Sequence, residues 1–168
     1  MNSRTLRLAV AAVAVALLAS ACTITVRPGG FAGSDLSLSG VIQDFQTTRG
    51  RGSDYYVGEN VEFRIVTNRA GYITLTALDP DGKVYVFERN IPVQAGTNYL
   101  PVPGARHVYT VNPPLGRQTV RASFTSDRTS GSVSYVGRYG DGDWTSAIQL
   151  DIRPSPVRDV AETYFYIR

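Results

Sequence analysis

From Leu36 onward the chain runs in short segments whose apolar residues recur at every second position, with Gly, Pro, Asn or Asp punctuating it about every ten residues. That period belongs to a strand with one face buried, because successive side chains of an extended backbone point to opposite sides of a sheet. Leu36, Leu38, Gly40 and Ile42 alternate with Ser37, Ser39 and Val41, and Val61, Phe63, Ile65 and Thr67 alternate with Glu62, Arg64 and Val66. From Tyr72 to Glu88 the chain sets Ile73, Leu75 and Ala77 on one face, turns at Asp79-Pro80-Asp81-Gly82 and resumes with Val84 and Val86, which predicts a hairpin. Further strands are expected over 99–102, 107–111, 119–125, 132–136, 147–152 and 163–167, and no segment between them shows a sustained 3.6-residue period. Some eight or nine mainly antiparallel strands predict an all-β, immunoglobulin-like β-sandwich, with a small closed β-barrel as the second choice.

Residues 1–35 do not share this pattern. MNSRTLR supplies Arg4 and Arg7 with no acid, and Leu8 to Leu18 is an apolar run of eleven residues, the layout of a signal peptide. A spanning helix needs about 20 apolar residues, so this run is too short to be one. The sole cysteine, Cys22, follows Leu18-Ala19-Ser20-Ala21. Small residues directly before a cysteine resemble the bacterial lipobox, which implies cleavage before Cys22, a diacylglycerol on its sulfur and a further acyl chain, such as palmitate, on the new amino group. Ala19-Ser20-Ala21 also satisfies the A-x-A rule for ordinary secretion. Each buried acyl methylene contributes about 0.8 kcal/mol, so an acylated Cys22 is a stable anchor. Thr23 in place of Asp resembles the signal for onward transport, which points to the periplasmic face of an outer membrane. Residues 23–35 are Gly-rich and aperiodic, a tether spanning about 20 Å. The expected organisation is signal peptide 1–21, lipidated Cys22 with its tether 22–35, and one β-domain over 36–168.

Cleavage changes the charge. The full chain has 17 basic and 14 acidic residues, but Arg4 and Arg7 leave with the signal peptide, so 15 basic residues remain. The mature chain is nearly neutral and holds no basic run, which argues against a nucleic-acid partner. With Cys22 acylated no disulfide is available, so the domain must be held by core burial alone.

Tyr56-Val57-Gly58-Glu59-Asn60-Val61, Asn68-Arg69-Ala70-Gly71-Tyr72-Ile73 and Leu78-Asp79-Pro80-Asp81-Gly82-Lys83-Val84 follow in an order similar to that of a bacterial family, domain of unknown function 4384. The likeness continues through Asn90, Ala95-Gly96-Thr97-Asn98, Leu100-Pro101, Pro113-Pro114-Leu115-Gly116 and Val120-Arg121-Ala122, and covers about residues 55–125. Asp159-Val160-Ala161-Glu162-Thr163 resembles the end of envelope-borne members. The family usually has an apolar-Pro pair before the Asn, where this chain has Glu88-Arg89. The resemblance implies a non-catalytic β-rich module, often exported.

Candidate chemistry is sparse. His107 is the only histidine, no G-x-S-x-G elbow occurs, and the single thiol is the expected lipid site, so a hydrolase is the least favoured reading and no catalytic residue is assigned. Asp141 and Asp143 are weak candidates for a metal, since calcium takes six to eight oxygens and the loop offers two acids. No cofactor is expected. Gly58-Glu59 is read as a turn into a strand, and Gly71 as a position needing positive φ. Tyr55, Tyr56, Tyr135, Tyr139 and Trp144 lie near Gly-rich segments, where exposed rings would stack on sugars or anchor a protein interface. In the last strand Tyr164 and Tyr166 fall on one face, opposite Phe165 and Ile167. The expected function is that of a structural or protein-interaction component of the envelope, with a cell-wall polysaccharide-binding module as the alternative.

Overall fold

The computed structural model describes residues 37–135 and 137–168. The segments expected as signal peptide and tether, with Cys22 and Leu36, lie outside the described residues. Along the chain come β1 (Ile42–Thr47), β2 (Asp54–Tyr55), β3 (Asn60–Val61), β4 (Phe63–Thr67), β5 (Gly71–Leu78), β6 (Val84–Val93), β7 (Gly96–Leu100), β8 (Tyr109–Thr110), β9 (Gly116–Thr125), α1 (Asp141–Ile152) and β10 (Arg158–Ile167). β2, β10, β9, β5 and β6 form one sheet in that order, β1, β4 and β7 a second, and β3 pairs with β8 in a short ribbon. Every pairing is antiparallel except that of β10 with β2. The sheets are open and pack as a sandwich.

The alternation read along 61–67 is what builds the core. Val61, Phe63, Ile65 and Thr67 are all buried, while Arg64 and Val66 are only half-buried. Phe63, on the small sheet, meets Phe165 and Phe87 of the large sheet at ring-centroid distances of 6.5 and 6.0 Å, and Phe45 of β1 at 5.6 Å. The hairpin forms as its pattern predicts. Ile73, Leu75 and Ala77 face the core, and Gly82 N–H donates to the Asp79 carbonyl at 2.9 Å to close the turn.

One expected strand is a helix. Residues 147–152 belong to α1, which covers the outer face of the large sheet and makes a third layer. Its buried residues, Trp144, Thr145, Ile148, Asp151 and Ile152, have helical spacing, but two of the five are polar and break the apolar period. Each polar member has its partner on the sheet, Thr145 in Arg121 and Asp151 in Arg89. Trp144, Ile148 and Ile152 pack with Val84 and Val160 in a second apolar cluster.

Other boundaries also move. Residues 132–135 are irregular, Val136 is outside the described residues, and the strand expected from Leu36 to Ile42 instead begins at Ile42. The 107–111 strand shortens to Tyr109–Thr110, and the strand expected over 99–102 runs from Gly96 to Leu100. Among the described residues ten strands form where eight or nine were expected, three of them only two residues long. Gly71 lacks the positive φ expected of it. Glycine is needed there because a Cβ would stand 2.7 Å from the Thr125 carbonyl oxygen and overlap the Phe124 ring.

Candidate functional site

β6 is the last strand of the large sheet, and the loop leading into β8 folds back towards it. Between them lies an open groove of about 570 Å³, with Tyr85, Phe87 and Tyr109 along its aromatic side and Val108, Asn112 and Pro113 at its rim. Phe87 lies 5.1 Å from both Tyr85 and Tyr109. Val108 is 59% exposed, so the rim has an apolar edge facing solvent.

Two polar groups fix the ends. At one, the Glu88 carboxylate accepts from the Tyr109 hydroxyl at 2.6 Å and faces His107 Nε2 at 2.8 Å through the same oxygen, Oε2. Burial, then the Glu88 hydrogen bond and charge, push the Tyr109 phenol far above its ordinary value. At the other end the Gln118 amide donates to the Tyr85 hydroxyl at 2.7 Å and to Asp79. Burial first, and the Asp79 charge second, raise the Tyr85 phenol well above the usual range. Burial likewise raises the Asp79 carboxyl, against the Gln118 hydrogen bond. Both phenols are therefore neutral at pH 7. Because the Tyr85 oxygen accepts from Gln118, its own proton is available to a ligand in the groove.

Among the described residues, no serine, threonine or cysteine side chain bonds to His107. The pair can bind and orient a polar group, but it lacks the nucleophile that would complete a base-assisted attack. Glu88 and Arg89 stand where the resembled family usually has an apolar-Pro pair, and both side chains make polar contacts. Glu88 holds His107 and Tyr109, two residues that line the groove. Arg89 ties β6 to α1 through Asp151 at 2.7 Å and to the Val133 carbonyl at 2.6 Å.

The five aromatic residues singled out in the sequence do not converge. Tyr55 is buried between the sheets, 5.2 Å from Phe165, and Trp144 is fully buried under α1. Neither has a face free to stack on a sugar, which corrects the expectation of exposure. Tyr135 and Tyr139 are half-buried against α1, 6.3 Å apart, with Arg89 over Tyr135. Tyr56 alone is strongly exposed, at 64%, on the loop after β2. Asp141 and Asp143 lie in the first turn of α1, where negative charge complements the helix dipole. Asp141 pairs with Arg121 at 2.7 Å, and no group of three His, Cys, Asp or Glu gathers among the described residues. Sequence reasoning missed the groove because its two walls are some twenty or more residues apart. The Glu88-Arg89 departure was its one local sign.

Residues 54–128 match the model of the family described as Domain of unknown function (DUF4384). No curated protein and no solved structure matches the chain. The matched segment leaves out β1, α1 and β10, although β10 is paired on both sides within the large sheet.

Proposed function

We propose that this chain is a non-catalytic lipoprotein of the bacterial cell envelope, held by lipid on Cys22, which engages a protein partner through the β6–β8 groove. The observation that carries the reading is the groove itself. Three aromatic rings and a free phenol proton stand beside an apolar rim, and the volume fits a few side chains of a partner. Aromatic and hydrogen-bonding groups in one concavity are the usual make-up of an interaction hot spot. The lipobox-like sequence supports the anchor, and the want of a nucleophile beside His107 supports a role without catalysis. The glycan-binding alternative that relied on Trp144 and Tyr55 loses its stacking faces.

The test is a photo-crosslinking residue placed at Val108 or, as a control, at Leu150, which is 60% exposed on the distant helix. In intact cells the Val108 probe is expected to capture one reproducible envelope protein that the Leu150 probe does not. Equal or absent capture from Val108 rules out the groove as a partner site.

A further inference from the structure

A second surface lies on the outer face of the large sheet, beyond the part that α1 covers. Tyr164 and Tyr166 of β10 point outward there, with ring centroids 5.8 Å apart. Arg117 stands opposite Tyr166 in the β9–β10 register and reaches diagonally over Tyr164, its guanidinium carbon 4.2 Å from the ring centroid. Arg51, from the loop before β2, lies over the same ring at 5.0 Å and donates to the Glu162 carbonyl at 3.2 Å. Two cations thus share one aromatic ring. Among the described residues neither has a carboxylate partner, whereas neighbouring Arg49 and Arg168 are paired with Glu59 and Asp54.

The Arg51 loop is held firmly. Gly52 N–H donates to the Tyr164 carbonyl at 2.8 Å, Gly50 N–H donates to Thr47, and the Thr47 and Ser53 hydroxyls both donate to the Gly50 carbonyl. Gly52 has φ +75°, and a Cβ there would press to 3.1 Å of the Tyr164 ring, so the loop lies flat against the tyrosine. Arg51 reaches the Tyr164 ring from the β2 side of β10 and Arg117 from the β9 side, so two guanidinium forks flank the ring, and such forks suit the planar or tetrahedral oxyanions of carboxylate and phosphate.

We propose that Arg51 and Arg117, set on Tyr164, form a binding site for the oxyanions of an acidic cell-wall glycan. The choice of a polymer rests on shape and position. The face is an open sheet surface, suited to repeated shallow contacts with an extended polyanion. The chain enters the domain at the other end of β10, where Ser39 N–H donates to the Arg158 carbonyl. Tyr164 and Tyr166 lie about 20 to 27 Å further along that strand. Under the envelope reading, on which the choice of glycan depends, this places the cationic face away from the tether and its membrane.

The experiment is co-sedimentation of the full-length chain, in non-ionic detergent, with purified peptidoglycan sacculi at low and high NaCl. Wild-type retention is expected to fall as salt rises. The double variant Arg51→Gln/Arg117→Gln is expected to lose about tenfold in affinity at low salt, since two exposed charge contacts are removed, while Arg106→Gln/Arg153→Gln stays at the wild-type level. Salt-insensitive retention, or equal retention of the two double variants, overturns the proposal. Micelles doped with phosphatidylglycerol offer a lipid phosphate as a competing oxyanion. If they abolish wild-type retention, a lipid headgroup occupies the site and the glycan assignment fails. Sacculus binding in the test tube is independent of where the chain resides, so an error in the envelope reading shows in cell fractionation and not here.

Discussion

Arg121→Ala is expected to undock α1 while leaving both sheets in place. The Arg121 side chain is 4% exposed, and its Nε and Nη atoms reach Glu162 at 2.9 Å, Thr145 at 3.0 Å and Asp141 at 2.7 Å. Its guanidinium carbon lies 4.0 Å from the Trp144 ring centroid. The Asp141 carboxylate is largely exposed, so that pair adds little. Glu162 is mostly buried, and removing its cation leaves an uncompensated charge beneath the helix, a loss of about 3 to 5 kcal/mol. The stacking over Trp144 falls within that figure. For a domain of this size the loss lowers the melting temperature by about 10 to 20 °C. Trp144 is the only tryptophan and is fully buried in wild type, so its fluorescence reports helix docking directly. The variant's emission should shift to the red at temperatures where the far-ultraviolet strand signal still holds. Unchanged emission with an unchanged melting temperature would refute the claim that this network holds α1 down.

Three further outcomes follow from the packing. Tyr55→Phe should raise stability by about 1 kcal/mol in chemical denaturation, because the Tyr55 hydroxyl is buried without a hydrogen-bond partner; a loss of stability would show that the hydroxyl is satisfied. Gly71→Ala should cost about 1 to 3 kcal/mol by overpacking against Phe124 and the Thr125 carbonyl, and a neutral result would mean that the β5–β9 pair yields readily. Asp79 has a carboxyl raised by burial, so the folded state binds its proton more tightly than the unfolded chain does. Its contribution to stability therefore falls as pH rises from about 4 through the raised folded value. Asp79→Asn keeps an oxygen facing Gln118 and should flatten that slope, matching wild type at low pH and exceeding it above the window; parallel stability–pH curves would contradict this.

The parts of this fold legible in the sequence are those in which one residue type marks one face. Phe63-Arg64-Ile65-Val66-Thr67 shows its buried face by alternation, and Phe165 and Ile167 turn inward as the pattern requires, with Tyr164 and Tyr166 outward. The helix was hidden because its buried stripe includes Thr145 and Asp151, which are acceptable there only with Arg121 and Arg89 on the sheet behind them. Such partners come from distant strands, so no local window reveals them. The same holds for the groove, where Glu88 meets Tyr109 and Tyr85 meets Gln118. Trp144 shows the opposite error, since Gly140 and Gly142 beside it read as an exposed loop when they flank and open a packed helix.

The claim on which the functional reading depends is the anchor, and the mass of the mature N-terminal peptide tests it most directly. Lipidation predicts a chain beginning at Cys22 whose peptide carries the added mass of a diacylglyceryl group on the sulfur and an acyl chain on the α-amino group. An N-terminal peptide with an unmodified Cys22 contradicts it.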